Sequence, residues 1–137
     1  MSLSGSCQCG AVRISTAAEP ISTRACWCRT CQKVAAGGPT HNAFFKTDDL
    51  AIEGEVRWHE VAADSGNTLS RGFCPTCGTP LFAQSSARTH LIVVRIGVFG
   101  DTAELGPRSV IWTDSAPHWA QIDPDLPVSE KQPPPVA

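Results

Sequence analysis

Seven cysteines in three close clusters are the feature that most constrains this chain. They stand as C-x-C at Cys7 and Cys9, as C-x-C-x-x-C between Cys26 and Cys31, and as C-x-x-C ending at Cys77. Every cysteine therefore has another one two or three positions away. Because a metal ion must be enclosed by ligands from at least two segments, clusters this far apart indicate a fold that brings distant parts of the chain together.

The setting of these thiols favours metal binding over disulfides. Residues Met1 to Ser6 carry no positive charge and no apolar run, so they do not form a secretory signal, and we expect a cytoplasmic protein. In a reducing cytosol, closely spaced cysteines bind metals or act in catalysis more often than they cross-link. Because seven is an odd number, a complete set of disulfides would leave one thiol unpaired. We assign residues 1–3 no part in the fold.

Length and composition bound the class of protein. A chain of 137 residues makes one domain and buries roughly two-thirds of its unfolded surface. With 42% hydrophobic and 18% charged residues it is globular, and no apolar run is long enough for a membrane span. The net charge of −2, without a dense basic cluster, excludes the electrostatic footprint of a nucleic-acid or anionic-membrane binder.

Short alternating segments separated by Gly, Pro, Asn and Asp predict a mainly β, largely antiparallel protein. The predicted strands are 10–15, 42–46, 56–61, 69–74, 79–84, 91–97 and 109–113. One short helix is predicted over 30–36, with Thr30 as its N-cap and Gly37-Gly38 as its stop. After Trp119 the frequent prolines predict no regular structure. Trp112 and Trp119 are expected to pack in the core or at its rim, and the alternative is that one of them lines the pocket.

The seven cysteines divide into four and three. Gly10 follows Cys9 and Gly78 follows Cys77, whereas Cys31 is followed by Gln32. A knuckle that wraps backbone N–H groups around a thiolate needs positive φ just past its second cysteine, which glycine adopts freely. We therefore pair Cys7 and Cys9 with Cys74 and Cys77 as a closed structural zinc site. The middle three then match a catalytic zinc, which keeps one coordination position open.

The middle cluster has a geometry of its own. Cys26 and Cys28 point to the same side of an extended segment, while Cys31 falls in the first turn of the short helix, where the dipole favours an anion. An incoming thiol would be deprotonated on binding to such a zinc, so thiol chemistry is its natural use. The alternative is a second structural zinc, completed by His41, His59 or Asp48.

In this order the three motifs resemble those of the glutathione-dependent formaldehyde-activating enzyme family, which includes the centromere protein V domains. They read Cys7-Gln-Cys-Gly10, Cys26-Trp-Cys-Arg-Thr-Cys-Gln32 and Phe73-Cys-Pro-Thr-Cys-Gly-Thr-Pro-Leu-Phe82. The ending Ile111-Trp-Thr113 with Pro117-His-Trp119 is also similar. The resemblance covers residues 4–128 as one zinc-binding domain and leaves 129–137 as a proline-rich tail. Two positions differ: Trp27 stands where many members have histidine, and Gly97-Val-Phe-Gly100 where members often read G-T-L-D.

The resemblance implies a small β-sheet "tent" with two zinc ions per chain. It implies a structural zinc on Cys7, Cys9, Cys74 and Cys77, and a catalytic zinc on Cys26, Cys28 and Cys31. The implied reaction joins glutathione to formaldehyde to give S-hydroxymethylglutathione, and its reverse makes the protein a carbon–sulfur lyase.

Because glutathione carries two carboxylates, cations near the motifs are candidates for binding it: Arg24, Arg29, Lys33 and Arg71. His41-Asn42, just after the Gly37-Gly-Pro39 turn, could face the pocket, with His41 as a candidate proton donor or acceptor. The rival reading is a non-catalytic zinc-binding module with two structural sites that mediates protein interaction. Free strand edges also allow a homodimer. The sequence does not determine the physiological substrate or the direction of the reaction.

Overall fold

The structure is a computed structural model that describes residues 2–63 and 65–137. These residues form eleven short strands, one α-helix and four 3-10 turns, so the predicted mainly β class with a short helix after the middle cysteine motif is confirmed. The elements are β1 (Leu3–Ser6), β2 (Arg13–Thr16), β3 (Ser22–Cys26), α1 (Arg29–Val34), β4 (Thr40–Lys46), β5 (Ala51–Glu53), β6 (Arg57–Ala62), β7 (Thr68–Phe73), β8 (Pro80–Ser85), β9 (Leu91–Arg95), β10 (Ser109–Ile111) and β11 (Val128–Ser129).

The strands form two sheets. The larger has eight strands in the order β11-β10-β3-β4-β9-β8-β7-β6, and the smaller has three in the order β1-β2-β5. Most pairs are antiparallel, as predicted, but β10 runs parallel to both β3 and β11. No helix in the described part of the chain is both long and apolar enough to cross a lipid bilayer.

The main core lies where one face of the large sheet meets the small sheet. Phe45 on β4, Phe82 on β8 and Val94 on β9 are fully buried there, packed in one cluster with Ile14 from the small sheet. Since side chains alternate along a strand, the neighbouring residues of β4 and β9 point to the other face of the sheet. That second face carries Cys26 of the middle motif.

Each of the seven predicted strands overlaps an observed one, and four observed strands were not predicted: β1, β3, β5 and β11. Strand β3 is central and nearly all of it is buried, so Ser-Thr-Arg-Ala-Cys shows no alternation between apolar and polar residues. Leaving residues 1–3 out of the fold was wrong for Leu3, which lies in β1 and is only 9% exposed.

Two expectations about helix and strand ends were also wrong. Helix α1 begins one residue earlier than predicted, and its N-cap is Cys28 rather than Thr30: the Cys28 sulfur accepts a hydrogen bond from the Cys31 N–H at 3.2 Å. A sulfur of the middle motif thus does the capping that we had assigned to a hydroxyl. After Trp119 the chain forms one short strand, β11, because Val128 and Ser129 pair with Val110 and Ile111.

Gln32 anchors helix α1 to the segments on either side of it. Its side chain is 6% exposed, and its Nε2 donates to the Trp27 carbonyl at 2.8 Å and to the Ser115 carbonyl at 3.0 Å. Its Oε1 accepts from Arg29 at 2.6 Å. The helix that carries Cys31 is therefore held to the turn that follows β10.

Replacing Gln32 by leucine should destabilise the protein. The Trp27 and Ser115 carbonyls would lose their partner in a buried place, which costs about 1–3 kcal/mol. Urea unfolding measures the free energy of unfolding of Gln32→Leu, and Gln121→Leu, at an exposed position, is the control. Equal stabilities for the two variants would contradict this role of Gln32.

Gly5 lies where β1 crosses the segment after β9, and a side chain does not fit there. A Cβ at this position would meet the Val98 carbonyl oxygen at 2.0 Å and the Phe99 Cα at 2.7 Å. Gly5→Ala should therefore lower the unfolding free energy by about 1–3 kcal/mol, as overpacking does. Gly38→Ala is the matched control, because its Cβ would meet nothing within 4 Å. If both variants have the same midpoint denaturant concentration as the wild type, the close packing at Gly5 is contradicted.

Candidate metal centres

The first and third cysteine motifs meet in one cluster. The four sulfurs of Cys7, Cys9, Cys74 and Cys77 all lie within 4.8 Å of one another. Cys7 and Cys9 Sγ are 3.6 Å apart, and Cys9 and Cys74 Sγ are 3.8 Å apart across 65 positions of sequence. The Gln8 N–H donates to the Thr79 hydroxyl at 3.1 Å and joins the two loops beside the sulfurs. Strand β1 and the β7–β8 hairpin are thus brought together at this cluster.

Both loops have the knuckle geometry that the glycines predicted. Gly10 and Gly78 have φ of 82° and 78°, and their N–H groups donate to the Cys7 and Cys74 carbonyls at 3.1 and 2.8 Å. Other backbone N–H groups point at sulfur: that of Val12 lies 3.3 Å from Cys7 Sγ. Such donors favour the thiolate form, which is the form that binds a metal.

The hydroxyl of Thr79 acts on the fourth sulfur of this cluster. It lies 3.1 Å from Cys77 Sγ, and it is the main cause that lowers the pKa of Cys77 to about 5. Cys7 and Cys74 are buried while Cys9 and Cys77 are exposed, so the cluster lies at the surface with two sulfurs facing inward.

The middle motif forms the second cluster, and its three sulfurs also lie within 4.8 Å of one another. Cys26 is the last residue of β3, Cys28 caps helix α1, and Cys31 lies in that helix. Cys26 and Cys31 are buried, and Cys28 is half-buried. Within residues 2–63 and 65–137, no histidine or carboxylate joins the three. His41, His59 and Asp48, the alternatives for a fourth ligand, therefore do not complete this group.

Close spacing couples the three thiols electrostatically. Hydrogen bonds from the Cys26 and Cys31 thiols lower the pKa of Cys28 to about 2, and the Arg71 charge contributes in the same direction. The same bond to Cys28 is the main cause that raises the pKa of Cys26. At this spacing, full deprotonation of all three sulfurs requires a cation among them.

The donor sets of both clusters fit zinc. All seven cysteines are free thiols, and soft thiolates in groups of three or four are ligands that zinc prefers in proteins. The two clusters can thus each hold a metal ion. One offers four protein ligands and the other offers three.

A row of polar side chains lies beside the trio on the second face of the large sheet. Cys26 pairs with Thr40 across β3 and β4, and Arg24 pairs with Asn42, which in turn pairs with Arg95 on β9. Arg95 donates to Asn42 Oδ1 at 2.6 Å, and Asn42 Nδ2 donates to the Thr40 hydroxyl at 3.0 Å. A chain of hydrogen bonds thus runs from Arg95 towards the sulfurs.

The arginines of this row have no carboxylate partner. Arg24 is 5% exposed, and its guanidinium lies 4.5 Å above the Phe44 ring. Burial lowers the pKa of Arg24 and of Arg95, and neither Nε has a hydrogen-bond partner. In the described part of the chain the one ion pair joins Lys131 and Asp114. The anionic groups that raise the pKa of these arginines are the sulfurs of the trio.

A cleft of about 180 Å³ opens between helix α1 and the β7–β8 hairpin. Two cations, Arg71 and Arg95, stand in a lining that is otherwise apolar or glycine. The lining residues are Val34, Arg71, Gly72, Phe73, Gly78, Pro80, Phe82 and Arg95. The hydrogen bonds from Arg95 through Asn42 to Thr40 lead from this cleft towards the trio, whose cysteines are not part of its lining.

The predicted cation candidates fall in different places. Arg71 lines the cleft, and Arg24 lies on the same sheet face as Cys26. Arg29 is exposed and bonded to Gln32, and Lys33 is exposed on helix α1.

His41 lies opposite Ala25 in the β3–β4 register, between Thr40 and Asn42. Because side chains alternate along a strand, it points away from the face that carries Cys26.

Sequence reasoning missed Thr40 and Arg95, and it considered Asn42 only together with His41. The available signal was Arg95 itself, a charge at the end of the apolar strand Leu-Ile-Val-Val-Arg. Alternation could place it on one face with Val93, but only strand pairing shows that this face borders the cysteines.

Trp27, which differs from the resembled pattern, points to the other side of the sheet. It is 4% exposed, clusters with Ala25 and Val110, and meets the Trp119 ring edge-on at a centroid distance of 6.3 Å. The side chain between the first two cysteines therefore packs away from the trio and supports the segment around Trp119.

Comparison with known proteins agrees with this arrangement. The family model described as glutathione-dependent formaldehyde-activating enzyme matches residues 2–115. A Halomonas elongata protein, provisionally named a glutathione-dependent formaldehyde-activating enzyme, is 27% identical over 129 residues, covering 90% of this chain and 82% of the relative. The fold is similar to a crystal structure of a Rhodobacter sphaeroides protein, with a TM-score of 0.57, 22% identity, and coverage of 77% of this chain and 92% of the other. The chain belongs to the glutathione-dependent formaldehyde-activating enzyme family.

Proposed function

We propose that this protein is a zinc-dependent enzyme that forms or cleaves a thiol–aldehyde adduct, with glutathione and formaldehyde as substrates. In the cleavage direction it is a carbon–sulfur lyase. The observation that carries the proposal is a trio of clustered thiols without a fourth protein ligand, beside a cleft with two arginines. Membership of the family supports the same chemistry.

The two clusters take different roles in this proposal. Cys7, Cys9, Cys74 and Cys77 hold a structural zinc with four thiolates. Cys26, Cys28 and Cys31 hold a catalytic zinc, which when bound supplies Lewis acidity at an open coordination position. We retain the prediction of a cytoplasmic protein, since reduced thiols suit a reducing compartment.

The residues of the chain itself bind and orient the thiol substrate. Arg71 and Arg95 present guanidinium donors that match a carboxylate of glutathione, and Asn42 fixes the orientation of Arg95. The cleft is smaller than the roughly 300–1,000 Å³ of sites for drug-sized ligands, so it accommodates part of the tripeptide.

The reaction balances without another reactant. In the synthetic direction the thiol sulfur bonds to the aldehyde carbon, and the thiol proton passes to the aldehyde oxygen. Apolar walls such as Phe82 and Val34 limit water around the reacting groups.

Metal analysis tests the two-site assignment. We expect freshly reduced wild-type protein to contain close to two zinc ions per chain, with the one at the trio released first by a mild chelator because it has fewer protein ligands. Cys28→Ser should keep about one zinc and the fold. Cys74→Ser should lose stability sharply, since a structural zinc contributes roughly 10–16 kcal/mol of apparent binding free energy.

Elemental analysis by mass spectrometry and circular dichroism provide these readouts. A content of one zinc or none in reduced wild-type protein would overturn the two-site reading.

Arg95 allows a sharper test of the substrate. Arg95→Met removes a charge-assisted hydrogen bond that is worth about 1.5–3 kcal/mol. It should therefore lower kcat/KM for glutathione roughly tenfold or more. With 2-mercaptoethanol, which has no carboxylate, the loss of activity in Arg95→Met relative to the wild type should be clearly smaller. Arg57→Met, at an exposed position of the edge strand β6, is the matched control.

Equal losses with both thiols would contradict a carboxylate-binding role of Arg95. A wild type that binds two zinc ions but converts no thiol–aldehyde pair would favour the non-catalytic zinc-binding module. Sedimentation of the same preparations tests the predicted homodimer.

A further inference from the structure

Trp112 packs against the cluster that Cys26 and Cys31 form with Ile111. It follows Ile111, which pairs with Cys26 in the parallel register of β10 and β3. In the described part of the chain, Ile111 and Trp112 are the apolar residues that share a cluster with Cys26, Cys28 and Cys31. Trp112 is half-buried.

The backbone at Trp112 is in a conformation that side chains rarely adopt. Its φ and ψ are 59° and 37°, in the left-handed region, which it shares with Ala36 alone among the described non-glycine residues. Such a conformation persists only where the surroundings enforce it, and it is concentrated at functional sites. Residues 129–132, which we call the clamp segment, bond to the Trp112 indole and to the two residues that follow it.

Four consecutive residues of the clamp segment hold the turn from Trp112 to Ser115. The Ser129 carbonyl lies 3.4 Å from the Thr113 hydroxyl, and the Glu130 carbonyl accepts from the Asp114 N–H at 3.1 Å. Lys131 Nζ lies 2.8 Å from Asp114 Oδ2. Gln132 Oε1 accepts a hydrogen bond from the indole Nε1 of Trp112 at 3.1 Å. Strand β11 adds parallel pairing with β10 just before these contacts.

The same turn is tied to helix α1 through Gln32, which donates to the Ser115 carbonyl. One side of the turn is therefore held by the helix that carries Cys31, and the other side by the clamp segment. The Gln132 bond fixes the indole itself, because a single acceptor on its N–H restricts rotation of the ring.

We propose that Trp112 is a specificity-determining wall of the thiol site and that the clamp segment positions it. The wall restricts the space over Cys28, so it selects thiols with an unbranched carbon next to sulfur over branched ones. The inference rests on the proposed function for the identity of the trio as the reacting site. Its test includes a readout that is independent of catalysis.

Iodoacetamide alkylation of the zinc-equilibrated protein, followed residue by residue by peptide mass spectrometry, measures access to the sulfurs. Trp112→Ala should raise the alkylation rate at Cys28 on the order of tenfold and leave Cys9 and Cys77 unchanged, because it uncovers the trio alone. Ile52→Ala, which removes an exposed apolar side chain on β5 of the small sheet, is the control.

The clamp segment is tested at Gln132. Gln132→Ala removes the acceptor for the indole and should raise alkylation at Cys28 in the same direction as Trp112→Ala, while Gln132→Glu keeps an acceptor oxygen and should behave as wild type. Because Gln132 is exposed, both variants keep the fold even if Trp112→Ala does not. In the activity assay, Trp112→Ala should raise kcat/KM for a branched thiol relative to a linear one.

The proposal is overturned if alkylation at Cys28 is unchanged in Trp112→Ala, or if Gln132→Ala and Gln132→Glu behave alike. It is also overturned if the alkylation rate rises as much at Cys9 and Cys77 as at Cys28, since that would show that the whole fold has loosened. A wild type without activity on any thiol would count against the proposed function, and the alkylation result would still decide the role of Trp112.

Discussion

Packing several sulfurs within 4.8 Å of one another is the constraint on which the rest of this structure depends. The hydrogen bond between two such thiols raises the pKa of Cys26 and lowers that of Cys28, and full ionisation of the trio requires a cation between the sulfurs. The four-cysteine cluster joins β1 to the β7–β8 hairpin across 65 positions of sequence. In a domain of this size, a metal held there contributes free energy comparable to the whole stability of the fold.

The two faces of the large sheet carry different kinds of residues. One face buries Phe45, Phe82 and Val94 against the small sheet. The other carries Cys26 with Arg24, Asn42 and Arg95 in adjacent rows. Arg24 is buried and Arg95 is half-buried, and two such guanidiniums without carboxylate partners would be costly on a purely structural face. The sulfurs of the trio are the anionic groups that stabilise their charge.

The cysteine motifs were the most informative part of the sequence. Spacing and the glycines after Cys9 and Cys77 predicted which clusters lie together, because knuckle geometry is local and depends on a positive φ at one residue. The strands with clear alternation were predicted as well. Strand β3 was not, since a strand buried on both faces has no alternation, and the sulfur cap at Cys28 was missed because capping statistics favour hydroxyls and carboxylates.

The sequence by itself determined the thiol ligands, their division into groups of four and three, and the mainly β class. Each of these depends on residue type and short-range spacing. Only the tertiary structure decided what surrounds the trio. Arg95 comes beside Asn42 through the pairing of β9 with β4, and His41 turns away through the alternation of β4. Trp112 packs in the cluster of the trio, and its indole is bonded to Gln132. These placements follow from strand register and from contacts between distant segments, which local sequence patterns do not encode.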